Sequence, residues 1–346
     1  MSKLDVYQQL RQNDNYIYKL IQLPPQLQSH LSKLKNNLQL KSTNNGNVLL
    51  VTEDKTFKLR QNNQSNTILL MRHENDKLIG YDKCFYQYEL NEILGKIINS
   101  SDIDIPIYEN EKSIQKITKK LTKQQLFNLS PCSKFEFEKL WIEMNYINIE
   151  NQVFKISNNL ITEILYDLIT FLISKNKLEE FRKEDIEISY DSNLVNSIFL
   201  NFTITTKDNK YKLNDEKIIN WFGINELKKL KIEEENQIKL NDFYLNWKSS
   251  LPSFYNVSLS ITSLRGNYLT KTINKIEFIK YVPLENLSQD PIIKFKQLIL
   301  IEPIWKYDEI LYFFSDFIKS GKKIDSIILK YGKKKKIGSK FIVCSR

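Results

Sequence analysis

The residues able to do chemistry are few and scattered. His30 and His73 lie far apart, and neither has a second metal ligand near it in the chain. The three cysteines, Cys84, Cys132 and Cys344, are odd in number and widely spaced. They imply no disulfide framework, and a reducing compartment is the simplest reading. Neither a C-x-x-C pair nor an H-E-x-x-H motif occurs, so zinc is unsupported. A phosphate-cradling loop needs several glycines ahead of its lysine, whereas "ILGKI" and "SGKKI" offer one each. With 8 glycines in the whole chain, no dinucleotide fingerprint forms either. Asp102 and Asp104 pair two carboxylates, but in a stretch that reads as a linker, and Glu233 to Glu235 read as a solvated helix end. The chain is therefore expected to be no enzyme and to need no cofactor or metal.

The one dense cluster is cationic. Seven of the last seventeen residues, "KYGKKKKIGSKFIVCSR", are Lys or Arg, and none is acidic. Ile337, Phe341, Ile342 and Val343 return after the lysines, and a disordered tail has no reason to carry them. The net charge of +10 favours an acidic partner such as nucleic acid. The same run also fits a nuclear import signal or a solvated turn. The start of the chain has no apolar leader, and no run approaches the length of a membrane span, so no membrane partner is expected.

Two regions of different period must position these groups. Residues 1–95 alternate with period two, in short runs such as "LQLK", "VLLVT", "TFKLR" and "TILLM" separated by polar turns. They predict a small β-barrel, or a half-barrel completed by partners. From about Asn91 the period becomes helical, with a linker over 96–116. Units of helices followed by a hairpin then recur, at 117–157 (a first and incomplete unit), 158–214, 215–283 and 287–346. Helices followed by a hairpin are the order of a winged helix. The expected class is α+β, with tandem winged helices after the barrel. In the last unit Ile310, Phe313, Phe314, Phe317 and Ile318 share one face of the second helix. Ile324, Ile327, Ile328 and Tyr331 do so in the third. "GKKKKIGSKFIV" is then the wing, with Lys333 to Lys336 at its tip beside a phosphate backbone. The tryptophans Trp141, Trp221, Trp247 and Trp305 are expected in cores.

Several blocks carry a resemblance: "LIQLPPQL", "LLVTEDKTFKLRQNNQSNTILLM", "LNDFYLNWKSSLP" with "LRGNYL", and above all "KFKQLILIEPIWKYDEILYFF" followed by "IDSIILKYGKKKKIGSKFIVCSR". In their order they resemble the DCC-type sister chromatid cohesion subunit of the alternative clamp loader, which is similar to replication factor C. The resemblance implies a nuclear, non-catalytic adaptor. Its N-terminal part joins a small accessory subunit and the tail of the large subunit in an interlocked barrel. Its winged helices bind DNA and DNA polymerase epsilon, so that the PCNA clamp is loaded or removed at replication forks. Cohesion and the replication checkpoint depend on this, while ATP hydrolysis belongs to other subunits.

Carried over by motif, Phe57, Leu59, Ile68 and Leu70 are candidates for the shared barrel core. Lys322, Lys323, Lys330, Lys333, Lys334, Lys335, Lys336, Lys340 and Arg346 are the candidates for DNA contact. The region near "KFEFEKLW" is the candidate polymerase surface. Where the family often has arginine after its "KY-small" stretch, this chain has Gly332-Lys333, which keeps charge but loses the guanidinium fork. Two other readings remain open at this level. One is a stand-alone tandem winged-helix DNA-binding or transcription protein. The other is a set of winged helices that serve purely as protein scaffolds.

Overall fold

A computed structural model describes residues 5–8, 17–32, 38–43, 46–75, 77–98, 103, 105–115, 121–230, 237–288, 290–319, 323–338 and 340–346. The chain is mixed α and β, with several small sheets and no closed barrel among the described residues. It divides into two compact units, Met1–Ile156 and Ser157–Arg346.

The first unit is built on an open six-stranded sheet. Its elements are β1 (Asp5–Gln8), β2 (Ile21–Gln22), α1 (Pro25–Leu31), β3 (Gln39–Ser42), β4 (Val48–Val51), β5 (Thr56–Glu74) and β6 (Lys77–Ile93). The strand order is β1-β6-β5-β4-β3, with β2 also on β6. Two expectations fail here. "QNNQSN" is no turn. It continues β5, and the ladder with β6 absorbs it as a register shift between Asn63 and Ile68. Ladder hydrogen bonds to β6 outweigh the weak strand preference of Asn and Gln. "LNEILGK" is no helix either, because Asn91, Glu92 and Ile93 stay paired with Lys58, Phe57 and Thr56. Leu27 of α1 covers Leu50, Phe57 and Leu90 to form a small core on one face of the sheet.

The second half of this unit comprises β7 (Ile107–Tyr108), α2 (Lys112–Gln115), α3 (Lys123–Leu129), α4 (Lys134–Glu143), β8 (Tyr146–Ile149) and β9 (Gln152–Ile156). The expected break between a barrel and a separate helical domain is absent. The Glu136 carboxylate, in the first turn of α4, ties the two halves together. It accepts from Thr56 Oγ1 of β5 at 2.5 Å and from the Gly95 amide at 2.8 Å. It also accepts from the Ser133 amide at 3.1 Å and the Ser133 hydroxyl at 2.7 Å. A carboxylate at a helix N-terminus is further favoured by the unpaired amides there. Lys41 of β3 makes a second tie. Its Nζ donates to the carbonyls of Phe127, Ser130 and Cys132 at 3.0, 3.0 and 2.9 Å and lies 3.9 Å from the centre of the Phe127 ring. Burial holds this ammonium below the ordinary lysine value, and it pushes the Cys132 thiol up to about 12.

The second unit holds three helical groups. The first is α5 (Asn158–Ser174), α6 (Ser192–Phe202), β10 (Thr203–Thr205) and β11 (Tyr211–Leu213). The next is α7 (Asp215–Lys229), β12 (Gln237–Lys239), α8 (Leu240–Ser250), β13 (Tyr268–Ile273) and β14 (Ile276–Tyr281). The last is α9 (Pro291–Ile301), β15 (Ile304–Lys306), α10 (Tyr307–Tyr312), α11 (Ser315–Lys319), α12 (Asp325–Tyr331), β16 (Gly332–Ile337) and β17 (Lys340–Ser345). On α5 one stripe, Ile161, Ile164, Leu165, Leu168 and Leu172, is buried.

The same strand arrangement recurs in β7-β9-β8, β12-β14-β13 and β15-β17-β16. In the latter two the lone strand is antiparallel to its neighbour, whereas β7 runs parallel to β9. An isolated bridge between Phe181 and Tyr211 stands in that place beside β11. Several hairpins turn on paired left-handed residues: Glu150 and Asn151, Asp208 and Asn209, Asn274 and Lys275. That pairing matches the right-handed twist of the strands it joins.

The core runs across the predicted unit boundary near 283–287. Leu269, Val282 and Leu287 share one core with Phe295, Trp305, Ile310, Phe314, Ile328 and Val343. Glu309 accepts from the Thr270 amide and hydroxyl at 3.1 and 2.5 Å, and Arg265 donates to the Tyr312 hydroxyl at 2.5 Å. One face of the expected second helix is split between α10 and α11, and Ile318 is exposed rather than in the stripe.

Gly95 sits where a Cβ would approach Cys132 Cβ to 2.5 Å and the Glu136 carboxylate to 2.6 Å. Gly95→Ala is expected to lower stability by about 2–4 kcal/mol through overpacking and a disrupted buried hydrogen bond. Glu136→Ala should fall in the same range. Both are measured by urea unfolding of residues 1–156, and an unchanged midpoint for both would refute the tie.

Candidate nucleic-acid and partner interfaces

The cationic site starts from a packing constraint. Ile324, Ile327 and Ile328 bury one side of α12 against Phe295, Leu298 and Phe313, and Trp305 fixes the floor by donating its indole N–H to the Leu298 carbonyl at 2.9 Å. Trp247 is likewise internal, with its N–H on the Ile219 carbonyl at 3.2 Å. Where α12 ends, a Cβ on Gly332 would lie 2.8 Å from both the Phe295 ring and the Cys344 carbonyl. Only glycine lets the helix pass directly into β16 at that closeness.

Lys333 to Lys336 are not at the tip of the hairpin. They lie along β16, paired with Cys344, Val343, Ile342 and Phe341, and the turn itself begins at Gly338 with φ +60°. The polar turn was legible, but the register that placed the lysines in the strand was set by burial of Val343. Strand alternation then divides the four. Lys334 points to the side of Val343 and is retained by the fold, with 25% of its side chain exposed. Its Nζ lies 3.5 Å from the Tyr307 ring centre, 5.1 Å from that of Phe341 and 3.3 Å from Asp325 Oδ1. The Tyr307 hydroxyl donates to the same Asp325 oxygen at 3.0 Å. Burial opposes the ammonium, but Tyr307 and Asp325 outweigh it and hold the group above its ordinary value.

Lys333, Lys335, Lys336 and Lys340 are exposed, without an acidic partner among the described residues. Lys323 is exposed just ahead of α12, and Lys330 near its end. Arg346 Nη1 donates to the Lys330 carbonyl at 3.2 Å, so it also caps the helix. Lys322 lies outside the described residues, as do Asp102, Asp104 and Glu233 to Glu235.

The partner candidates on the sheet divide differently. Phe57 is 1% exposed and already filled in by Leu27, Leu50 and Leu90 of its own chain, with Leu59 packed at the margin. Ile68 and Leu70 are half-buried on the distal part of the β5–β6 ribbon. The apolar residues left in water lie elsewhere. They include Leu40, 69% exposed on the edge strand β3, with Val48 on β4, Val6 and Tyr7 on β1, Ile21 on β2, and Leu69 and Phe85 on the ribbon. The alternation in "LQLK" was the sequence signal for Leu40. In "KFEFEKLW", Phe137 and Trp141 are core, while Phe135 is exposed, as is Leu129 at the end of α3. No group of three or more His, Cys, Asp or Glu stands close enough to hold a metal, and no helix is long and apolar enough to cross a membrane, among the described residues.

The family model of the sister chromatid cohesion protein Dcc1 matches residues 18–314. The chain is similar to the sister chromatid cohesion protein DCC1 of Saccharomyces cerevisiae, at 25% identity over 95% of this chain and 96% of the yeast protein. It is also similar to a Dictyostelium discoideum protein named "Probable sister chromatid cohesion protein DCC1", at 24% identity over 88% of each.

Because Lys334 is held and its neighbours are not, the lysine run should respond unevenly to substitution. Lys334→Ala is expected to lower the melting temperature by about 2–4 °C, the shift of a roughly 1 kcal/mol loss in a unit of this size. Lys335→Ala and Lys336→Ala should leave it within about 1 °C. Differential scanning calorimetry of residues 157–346 checks this, and equal shifts for all three would refute the division.

Proposed function

The chain belongs to the Dcc1 family of sister chromatid cohesion proteins, and on that premise we propose that it is a non-catalytic adaptor of an alternative clamp loader. In this reading, residues 1–156 assemble with the large and small accessory subunits of the loader. Residues 158–214, 215–283 and 287–346 are tandem winged helices, with 117–157 a reduced first copy. They bring DNA and DNA polymerase epsilon to the complex, so that PCNA is loaded or unloaded at forks in the nucleus. Sister chromatid cohesion and the replication checkpoint are the processes served.

The observation that carries the reading is the open sheet. Among the described residues no further strand pairs with its outer strand β3 or with the opposite edge at β1, and apolar side chains such as Leu40 and Val6 lie in water there. Such edges are usually covered, and a strand added by a partner satisfies both the backbone and the side chains. The recurring strand order supports the winged-helix assignment, and the exposed lysines of β16 support phosphate contact without base readout. Phe135 and Leu129 support a protein contact near the first helical group.

Co-expression tests the assembly. Residues 1–156 should co-purify at equal stoichiometry with the small subunit and the C-terminal tail of the large one, while residues 157–346 should not. A fragment 1–156 that is monomeric and ignores both partners would return a stand-alone DNA-binding protein to first place. For DNA, replacing Lys333, Lys335 and Lys336 together by Ala should reduce the slope of log affinity against log salt by about 3 units on duplex, as expected for three lost phosphate contacts. An unchanged slope would leave the lysines as an import signal.

A further inference from the structure

The outer face of α12 carries a hydroxyl among its cations. Ile324, Ile327 and Ile328 face the core, which leaves Ser326, Leu329 and Lys330 on the open side at i, i+3 and i+4. Ser326 is exposed, and its hydroxyl donates to the Lys323 carbonyl at 2.9 Å. That bond is local to the first turn. Serine is also a weaker helix former than alanine, so the hydroxyl does little for α12 itself.

The charge around it is one-sided. From Lys319 to Arg346 the sequence holds ten Lys or Arg and one acid, Asp325. Asp325 is already taken, by the Tyr307 hydroxyl at 3.0 Å and by Lys334 at 3.3 Å. Lys323 and Lys330 are both exposed. The first is tied to Ser326 through its carbonyl, and the second is the i+4 neighbour on the same face. An anion at Ser326 therefore has both ammonium groups within reach.

The chain around Ser326 has the charge pattern of a kinase substrate. Protein kinases choose a hydroxyl by the residues beside it. Lys322 and Lys323 stand four and three residues ahead of Ser326, which suits a kinase whose substrate groove is acidic. Ile327 to Tyr331 include no acid, and residue 327 is not proline, so kinases directed by acids or by proline have nothing to read after the serine.

We propose that Ser326 is a phosphorylation site for a serine kinase that reads basic residues, and that its phosphate switches off the DNA contact of this face. The inference rests on the phosphate contact proposed above. In the transfer, Ser326 Oγ attacks the γ-phosphorus of ATP, the bond to the departing ADP oxygen breaks, and the hydroxyl proton passes to the base of the kinase. The product carries about −1.5 to −2 charges and three acceptor oxygens, enough to pair Lys323 and Lys330 and to repel a phosphate backbone. A kinase takes its substrate extended, so the first turn of α12 must open. That helix has 7 residues, too few to be stable without its packing, and opening it is a local event.

The test uses the full chain in its assembled complex, with the catalytic subunit of the cyclic-AMP-dependent kinase and ATP as probe. Mass spectrometry should find phosphate on Ser326, and Ser326→Ala should take none there while binding duplex DNA as the wild type does. A second sample carries phosphoserine installed at position 326 during synthesis, which makes the DNA readout independent of kinase access. Its duplex affinity at physiological salt should fall about tenfold, and the slope of log affinity against log salt by about 2 units, one for each paired lysine. Its melting temperature should stay within about 2 °C of the wild type. A kinase that leaves Ser326 unmodified overturns the site. Unchanged affinity and slope for the phosphoserine chain overturn the switch, while binding by the wild type leaves the DNA contact standing. A melting temperature lowered by more than about 5 °C would mean that the phosphate breaks the fold, and overturns the switch as well. A wild-type complex that does not bind duplex at all overturns the DNA reading first, and this inference with it.

Discussion

One carboxylate organises the first unit. Glu136 accepts from a strand hydroxyl, from the amide that follows the sheet, and from both donors of its own helix cap. Apart from the Ser133 amide, which also donates to Thr56 Oγ1 at 3.0 Å, those donors would otherwise be unpaired polar groups at a packed junction, which is costly. The sheet therefore cannot be separated from α3 and α4 without exposing the carboxylate's partners. Lys41 works in the same sense from the edge strand, by satisfying three carbonyls near the end of α3. Together they hold β3 and β5 firmly, while among the described residues no further strand pairs with either edge of the sheet. An open sheet can await a partner only if its own chain keeps it in shape.

A similar economy governs the second unit. Leu269 and Val282 lend their side chains to the core of the following group, and Glu309 reaches back to Thr270. Two helical groups that look separate in the chain share one core. For the adaptor proposed above, a shared core of this kind is the useful property, because an adaptor acts through the geometry it imposes on what it binds.

Charge is distributed along the same lines. The lysines of β16 alternate between a face that packs on Tyr307 and faces open to water, so a run of identical residues contains both a structural member and free ones. Its formal charge overstates what a phosphate backbone would meet.

Much was legible from the sequence alone. The short strands of "LQLK", "VLLVT" and "TFKLR" and the apolar face of α12 follow from local periodicity, which is written in adjacent residues. The order of blocks was enough to suggest the family. What only the tertiary structure decided are the features that depend on distant partners. "QNNQSN" became strand because β6 lay beside it, and "LNEIL" lost its helix because β5 claimed its amides. The division at 95 vanished because Glu136 and Gly95, 41 residues apart, share a hydrogen bond. Lys334 differs from Lys335 only through Val343, Tyr307 and Asp325, none of them its neighbours in the chain. A local pattern can state which face is apolar, but which groups meet is fixed by the packing of elements far apart in sequence.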